Sequence, residues 1–482
     1  MKRKFVINLL FVLVLNLLIK PFWILGIDVG VQNAVGSNEY GLYYHLLSFS
    51  ILLNIVLDFG ITNYNNRNIA QHNHMLKRYF SGIFNVKIIL SLVYLCLTFL
   101  AAFMVGYKGK ELWLLFLLGI NQILSSFILY LRSNVSALHL FKTDALLSVM
   151  DRLLMIMLCG ILLWGNFTNQ PFQIEWFVYA QFWAYLATML VAFIIVFNKA
   201  KLFRMKVDIA LFLLILRQSM PFALLVLLMS FYYRLDSVMI DLIMEEGKQE
   251  VGIYAQAYRI LEAFNMLGFL FAGLLLPIFS KMIKDKLKID GLLNTSFNIL
   301  FVPALAITAV SLMHSQSIMD LLYVEHIIES AEVYAILMIS FIAIALTYIY
   351  GTLLTANGSL KQLNIIALIG FATNFILNYF LIPDYGAKGA AIATLITQFF
   401  VSIAQIIVVK RLFRISYEFQ LLMKYILLLV FGGTGSYFLK DVFSNFLVHA
   451  TAVAIVFSVL AVLLGLIGKD QIQSLLKRKT ID

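Results

Sequence analysis

The sequence predicts an all-α polytopic integral membrane protein of about fourteen transmembrane helices. Three observations carry that prediction. Of 482 residues, 62% are hydrophobic and only 13% charged, against about 45–50% apolar and about 25% charged in soluble domains. The apolar residues fall in successive runs of roughly 20, the length that crosses a hydrocarbon core. The lysines and arginines collect between alternate runs. A mean hydropathy of +0.93 and an aromatic share of 14% agree, since interfaces are anchored by Trp and Tyr.

Span 1 (5–27) follows Lys2-Arg3-Lys4; it is too long for a signal peptide and lacks a small-x-small cleavage site, so it is expected to be retained. Span 2 (41–62) runs from the Glu39-Tyr40 boundary towards Arg67. Spans 3 and 4 (80–105, 112–138) flank Lys108 and Lys110, and spans 5 and 6 (144–164, 174–197) lead to Lys199, Lys201, Arg204 and Lys206. Spans 7 and 8 (211–243, 251–280) flank Lys248 and are followed by Lys281, Lys284, Lys286 and Lys288. Spans 9 and 10 (292–312, 333–356) are joined by the longest loop, 313–332, whose Asp320, Glu325 and Glu329, with Glu332, read as a solvated amphipathic segment. Spans 11 and 12 (362–382, 387–409) lie between Lys361 and Lys410-Arg411, and spans 13 and 14 (419–439, 446–468) end before Lys469, Lys477, Arg478 and Lys479.

Odd and even loops differ in charge. One side holds most of the cations, while the other holds only Lys108, Lys110, Lys248, Lys388 and Lys440. The positive-inside rule therefore places both termini in the cytoplasm. The net charge of +11 reflects these loops facing anionic lipid, and no nucleic-acid partner is expected. Cys96 and Cys159 lie inside apolar runs and read as packing residues.

Glu39-Tyr40-Gly41-Leu42-Tyr43 recurs as Glu250-Val251-Gly252-Ile253-Tyr254, an offset of 211 (250 minus 39). Six spans separate the copies, so the halves keep one orientation as parallel repeats. The expected organisation is a six-helix lobe over 1–206, a second over 207–414, and two extra helices with a cytoplasmic tail over 415–482. The cleft between parallel repeats is the expected substrate site.

Eight cations fall within the spans: Lys20, Lys87, Arg132, Arg152, Arg217, Arg234, Arg259 and Lys424. Each costs about 3 kcal/mol at bilayer depth, so facing lipid would cost the set roughly 20 kcal/mol. Arg217 and Lys424 stand near span ends and can snorkel. The others are expected to face a wet cavity or to pair. Lys20, Arg132, Arg152, Arg234 and Arg259 form the candidate cationic, substrate-binding set, with Asp58, Asp236 and Glu262 as candidate ion-coupling carboxylates. Arg259 and Glu262, three apart, can meet on one helical face, whereas adjacent Asp151 and Arg152 are expected to find partners elsewhere. Polar stripes at steps of three, four or seven mark span 2 (Asn54, Asp58, Thr62, Asn65), span 4 (Asn121, Ser125, Arg132, Ser136, His139), span 7 (Ser230, Arg234, Ser237, Asp241) and span 12 (Thr394, Gln398, Ser402, Gln405). Such stripes line water-filled cavities or bond neighbouring helices. His139 and His314 lie near span ends and are read as structural rather than as a proton relay.

Catalytic signatures do not occur. The chain has no G-x-x-x-x-G-K-[ST] loop, no H-E-x-x-H, no Cys/His cluster for a metal and no G-x-S-x-G elbow. No catalytic residue, metal or cofactor is expected. Gly26, Gly30, Gly386 and Gly389 read as packing or turn glycines.

Arg234-Leu235-Asp236-Ser237-Val238-Met239-Ile240 with Val251-Gly252-Ile253-Tyr254 and Leu276-Pro277 resembles spans 7 and 8 of polysaccharide flippases. Asn374-Phe375-Ile376-Leu377-Asn378, Ile382-Pro383 and Gly386-Ala387-Lys388-Gly389-Ala390-Ala391-Ile392-Ala393-Thr394 resemble spans 11 and 12. Asp58-Phe59-Gly60-Ile61 is similar to span 2. The family is the multidrug/oligosaccharidyl-lipid/polysaccharide (MOP) exporter superfamily, on its Wzx-type O-antigen, capsule and exopolysaccharide repeat-unit branch. The resemblance implies a V-shaped pair of lobes alternating access across the bacterial inner membrane. It implies an undecaprenyl-diphosphate-linked oligosaccharide as cargo, the lipid bilayer as surroundings, and a polysaccharide polymerase with export machinery as partners. Cations in spans 1, 2 and 8 line the cavity of related lipid flippases; Lys20 and Arg259 match, while span 2 departs, its first cation being Arg67. Trp23, Tyr232 and Tyr233 are the aromatic residues offered to sugars. Two other MOP cargoes remain open, a cationic drug or toxin and a lipid II-type peptidoglycan precursor, as does a membrane glycosyltransferase or polymerase.

Overall fold

The computed structural model describes residues 15–16, 18–62, 65–66, 69, 76–138, 140–165, 170–200, 209–415, 419–443 and 445–466. The start of span 1 with Lys2, Arg3 and Lys4, together with Arg67, His139, Lys201, Arg204, Lys206 and the basic tail from 467, lies outside them. Among the described residues there is no strand. A π-helical turn, Trp23–Asp28, leads into α1 (Val29–Leu52), and a 3-10 turn, Asn54–Leu57, follows it. Next come α2 (Leu76–Val105), α3 (Lys110–Ala137), α4 (Phe141–Trp164), α5 (Ile174–Ala200), α6 (Ile209–Ile243) and α7 (Gly247–Lys284). Then follow α8 (Asp290–Met313), α9 (Ser315–Leu322), α10 (Ile327–Ala356), α11 (Leu360–Phe413), α12 (Phe419–Val442) and α13 (Phe446–Leu463).

Ten of these helices are long and apolar enough to cross a membrane. They cover predicted spans 3 to 12 and 14, because α11 holds spans 11 and 12 in one run bent at Gly386 (φ 52). Large apolar side chains such as Phe103 (63%), Met104 (78%) and Leu463 (76%) are exposed along them, a surface suited to acyl chains. Pro277, Pro303 and Pro383 sit inside helices, as membrane helices tolerate.

Two predicted boundaries move, each for a local reason. The loop expected between spans 1 and 2 is helical, with one bend at Gly36, whose φ of 81 only glycine adopts cheaply. Span 2, expected to run to 62, leaves the α-helix after Leu52. Phe59 (φ 43) and Gly60 (φ 80) are left-handed, and the Asp58 carboxylate accepts the Thr62 amide at 3.3 Å. Lys87 Nζ donates to the freed Leu57 carbonyl at 2.8 Å. Unwound backbone persists at membrane depth only where side chains satisfy it in this way. The acidic loop 313–332 holds the short amphipathic helix α9, with Met319 buried and Asp320 exposed.

The chain forms two compact units, Met1–Ala255 and Gln256–Asp482. In the first, α5 packs on α3 and α4, while α1 packs on α6 and α3. In the second, α10 packs on α8 and α11, and the α12–α13 pair docks on α8.

Candidate functional site

Three candidate cations come together in the first unit. Lys20 lies within electrostatic reach of Arg152, Asp151 and Arg132. Arg132 Nε donates to Asp144 Oδ1 at 2.8 Å. Arg152 Nε sits 3.8 Å from Asp151 Oδ2, so the adjacent pair expected to diverge does meet, because the long arginine folds back along its own helix. The Arg152 guanidinium also stacks 5.5 Å over Trp23 and 5.9 Å over Tyr185. Trp23 is buried and stacks on Phe177 at 5.6 Å, which fixes this platform. Among the described residues Lys20, partly exposed, makes no hydrogen bond or ion pair. Among the described residues the cluster thus brings together three cations (Lys20, Arg132, Arg152) and two carboxylates (Asp144, Asp151).

Arg234 is anchored nearer the Gly36 bend. Its guanidinium donates to Tyr44 Oη at 3.2 Å. Counted at about 1.5 Å per residue, Tyr44 lies about 12 Å from that bend and Lys20 about 24 Å. Tyr44 stacks on Tyr40, whose hydroxyl donates to the buried Asp28 carboxylate at 2.7 Å. In the second motif copy Tyr254, the counterpart of Tyr43 rather than Tyr40, donates to the fully buried Asp236 at 2.7 Å. Tyr232 is buried and lies 4.6 Å from Tyr233, centroid to centroid.

Asp58 is engaged by Lys87, itself 1% exposed, at 3.0 Å. Lys87 further donates to Ser126 Oγ at 2.8 Å. The span 2 stripe is therefore not a helical face but a set of interhelical bonds: Asn54 to Gln122 at 3.1 Å, and Asn65 to Ser133 at 2.9 Å. In the second unit Arg259 pairs with Glu262 at 2.8 Å on one face of α7, and the span 12 stripe is buried throughout. His314 and His449 meet at 2.9 Å. Cys96 and Cys159 are free.

The two motif copies touch each other. A Cβ added to Gly41 would overlap the Lys248 carbonyl oxygen, and one added to Gly252 would overlap the Ser37 carbonyl oxygen. The offset that relates Gly41 to Gly252 also relates Ser37 to Lys248, so the contact is self-complementary, as in a two-fold interface. Gln32 adds a bond to the Gly252 carbonyl at 3.0 Å. Around this crossing, Lys248 pairs with Glu111 at 2.9 Å, and Lys110 pairs with Glu39 at 2.7 Å and Glu175 at 3.1 Å. A polar depression of about 350 Å³ lies among Asn38, Glu39, Lys108, Lys110, Glu111 and Lys248.

A family model described as polysaccharide biosynthesis protein matches residues 6–283, more than half of the chain. The chain belongs to that family. No similar sequence occurs among curated proteins. Among solved structures, a lipid II flippase MurJ in an inward closed conformation aligns with a TM-score of 0.73 at 15% identity, over 92% of this chain and 96% of that one. An inward-facing multidrug resistance MATE transporter of the MOP superfamily aligns at 0.60 and 16%, over 82% and 94%. A MOP superfamily transporter from Pyrococcus furiosus, described by the reversed polarity of its binding pocket, aligns at 0.58 and 15%, over 85% and 94%. This member of the polysaccharide biosynthesis protein family thus carries the all-helical MOP fold, as the sequence resemblance implied.

Sequence reasoning missed four residues of this family member that the structure makes prominent: Asp28, Asp144, His45 and Tyr107. His45 carried a signal, since it is an ionisable group inside span 2. Asp28 and Asp144, at the edges of spans 1 and 5, and Tyr107, between spans, carried none, because only packing reveals what they touch.

Proposed function

We propose that this chain is a flippase that carries undecaprenyl-pyrophosphate-linked oligosaccharide across the bacterial inner membrane by alternating access, for surface polysaccharide biosynthesis. Residues 1–206 and 207–414 act as its two lobes, and 415–482 is an appended helix pair with a cytoplasmic tail. The observation that carries the reading is Lys20, a cation beside Arg152 and Arg132 that has no bonded counter-ion among the described residues. A diphosphate leaving water needs fixed positive charge, and the bilayer supplies none. Arginine grips phosphate oxygens through two parallel N–H bonds, while lysine acts as a point charge. Cargo phosphate would add negative charge beside these three cations. Arg234 and Arg259 serve further along the path, and Asp236 and Glu262 hold them or their surroundings in place.

The Gly41–Gly252 crossing supports alternating access. With the loop orientation read from charge, it closes the external end, and its rim of ion pairs is accessible enough to separate in water. The described family and the MurJ likeness favour a lipid diphosphate over a cationic drug. Replacing Lys20, Arg132 or Arg152 by glutamine in the native host tests the reading. Surface polysaccharide is expected to fall while protein levels hold and lipid-linked oligosaccharide accumulates. Normal export by all three variants overturns it. Sugar transfer by the purified protein would instead favour a glycosyltransferase, and loss of viability without the gene would favour a peptidoglycan precursor as cargo.

A further inference from the structure

We infer that Trp23 and Tyr185 are positioning residues for the diphosphate: their rings hold the Arg152 guanidinium beside Lys20, and they do not themselves carry the sugars. The inference deepens the proposed flippase reading and rests on it, because it assigns the residues that make Arg152 a phosphate ligand.

The register of span 1 brings these groups together. Asn16, Lys20 and Trp23 stand at steps of four and three, so they share one helical face. That face meets α4, where Asn16 Nδ2 donates to Ser148 Oγ at 3.2 Å. Arg152 follows Ser148 by four residues, one turn further along the same face of α4, and reaches Trp23. At Trp23 the helix widens into the π-helical turn, and the Val29 amide that ends it reaches back five residues to the Ile24 carbonyl. Single π-helical turns of this kind recur at functional sites. With this one, Trp23 meets α4 while Asp28 meets Tyr40.

The stack is fixed by its neighbours. Phe177 is fully buried, lies within 9° of parallel to Trp23 and takes the edge of Tyr43 at 5.1 Å. Tyr185 stands eight residues after Phe177 on α5, on the same side, and supplies the second ring. Trp23 is only 6% exposed, so little of its ring is left for a sugar to cover.

Stacking holds a guanidinium without consuming its donors. Ring faces contact its flat sides, whereas phosphate oxygens are gripped by its in-plane N–H groups. The polar contacts of Arg152 include a weak acceptor, Met155 Sδ at 3.4 Å, and Asp151 Oδ2 at 3.8 Å. A phosphate oxygen is a far better acceptor than that sulfur and can take its place. Other buried ionisable groups of this unit are held by polar partners instead: His45 by Tyr107 at 2.6 Å and Asp241 at 3.4 Å, and Lys87 by three oxygens. Three acceptors occupy all the donors an ammonium has, so Lys87 offers none to cargo.

The test measures binding of undecaprenyl diphosphate, bare or carrying the native host's oligosaccharide, to the full chain in nanodiscs. Trp23→Leu is expected to weaken both lipids alike by about tenfold, and Trp23→Phe, which keeps a ring face for the guanidinium, to stay within about threefold of wild type. Tyr185→Leu, at a partly exposed position, is expected to weaken both lipids in the same way and carries the test if Trp23→Leu does not fold. Adding either leucine to Arg152→Gln should cost nothing further, because the rings act through the arginine. The exposed Trp183→Leu should bind as wild type. A loss confined to the sugar-bearing lipid makes the rings a sugar platform and overturns the inference, as does wild-type binding by both leucine variants. Either result leaves the diphosphate reading standing where Lys20→Gln still weakens the bare lipid. Absence of binding by the wild type overturns both.

Discussion

Gly41 and Gly252 occupy equivalent places in two copies of one motif, and each lacks the side chain that would strike the other copy's backbone. The echo visible in the sequence is therefore also a contact in space. Close backbone approach without side chains is how membrane helices gain dispersion contacts when hydrophobic burial offers no net drive.

Gly252→Val and Gly41→Ala should push the crossing apart. Overpacking of this kind costs about 1–3 kcal/mol, a shift of roughly 5- to 150-fold between crossed and open states. Export of polysaccharide should fall with little change in protein amount. Gly82→Ala is the control, because nothing lies within 4 Å of a Cβ placed there.

Lys87 is expected to matter for stability rather than for cargo. Lys87→Met strips donors from Leu57, Asp58 and Ser126 at once. Asp58 keeps the Thr62 amide and Leu57 keeps the Ser126 hydroxyl, but losing the charged donor beside a carboxylate should still cost about 2 kcal/mol or more. Thermal unfolding of the purified protein should shift down by several degrees, and the double variant Lys87→Met with Asp58→Asn should recover part of the loss. The exposed Lys361→Met should leave the midpoint unchanged.

The pair His314 and His449 predicts acid sensitivity for the last two helices. Burial holds the His314 imidazole below the ordinary histidine value, and His449 and Lys440 push the same way. The fold therefore prefers the neutral ring. The stability it contributes is complete above about pH 6.5 and is lost as pH falls through the lower native value. Hydrogen exchange along α13, corrected for intrinsic rates, should accelerate on going from neutral to acid pH. His314→Asn should flatten that response.

Much of the fold was legible because the bilayer imposes a single length scale. Apolar runs and loop charge marked the helices now seen as α2 to α8 and α10 to α13. Contacts within one helix were legible too: Arg259 and Glu262 meet at the spacing that predicted it. What failed were places where side chains replace a backbone rule. Gly36 removes an expected loop by a single positive φ, and Lys87 with Asp58 lets span 2 unwind early. The candidate site was half legible. Charge burial selected Lys20, Arg132 and Arg152, but the carboxylate Asp144 shares α4 with Arg152, and the aromatic platform of Trp23 and Tyr185 is drawn from the π-helical turn and α5. His45 met the same criterion as the buried cations and was overlooked because histidine is so often a packed residue.

The central claim is that Lys20 and its arginine neighbours carry a lipid-linked diphosphate. The direct measurement reconstitutes the purified chain in liposomes holding undecaprenyl-diphosphate-linked oligosaccharide and follows its appearance in the opposite leaflet. The account predicts translocation by the wild type, at least tenfold slower translocation by Lys20→Gln, and substantial recovery in Lys20→Arg. Equal rates for wild type and Lys20→Gln, or no translocation of the diphosphate lipid by the wild type, would contradict it.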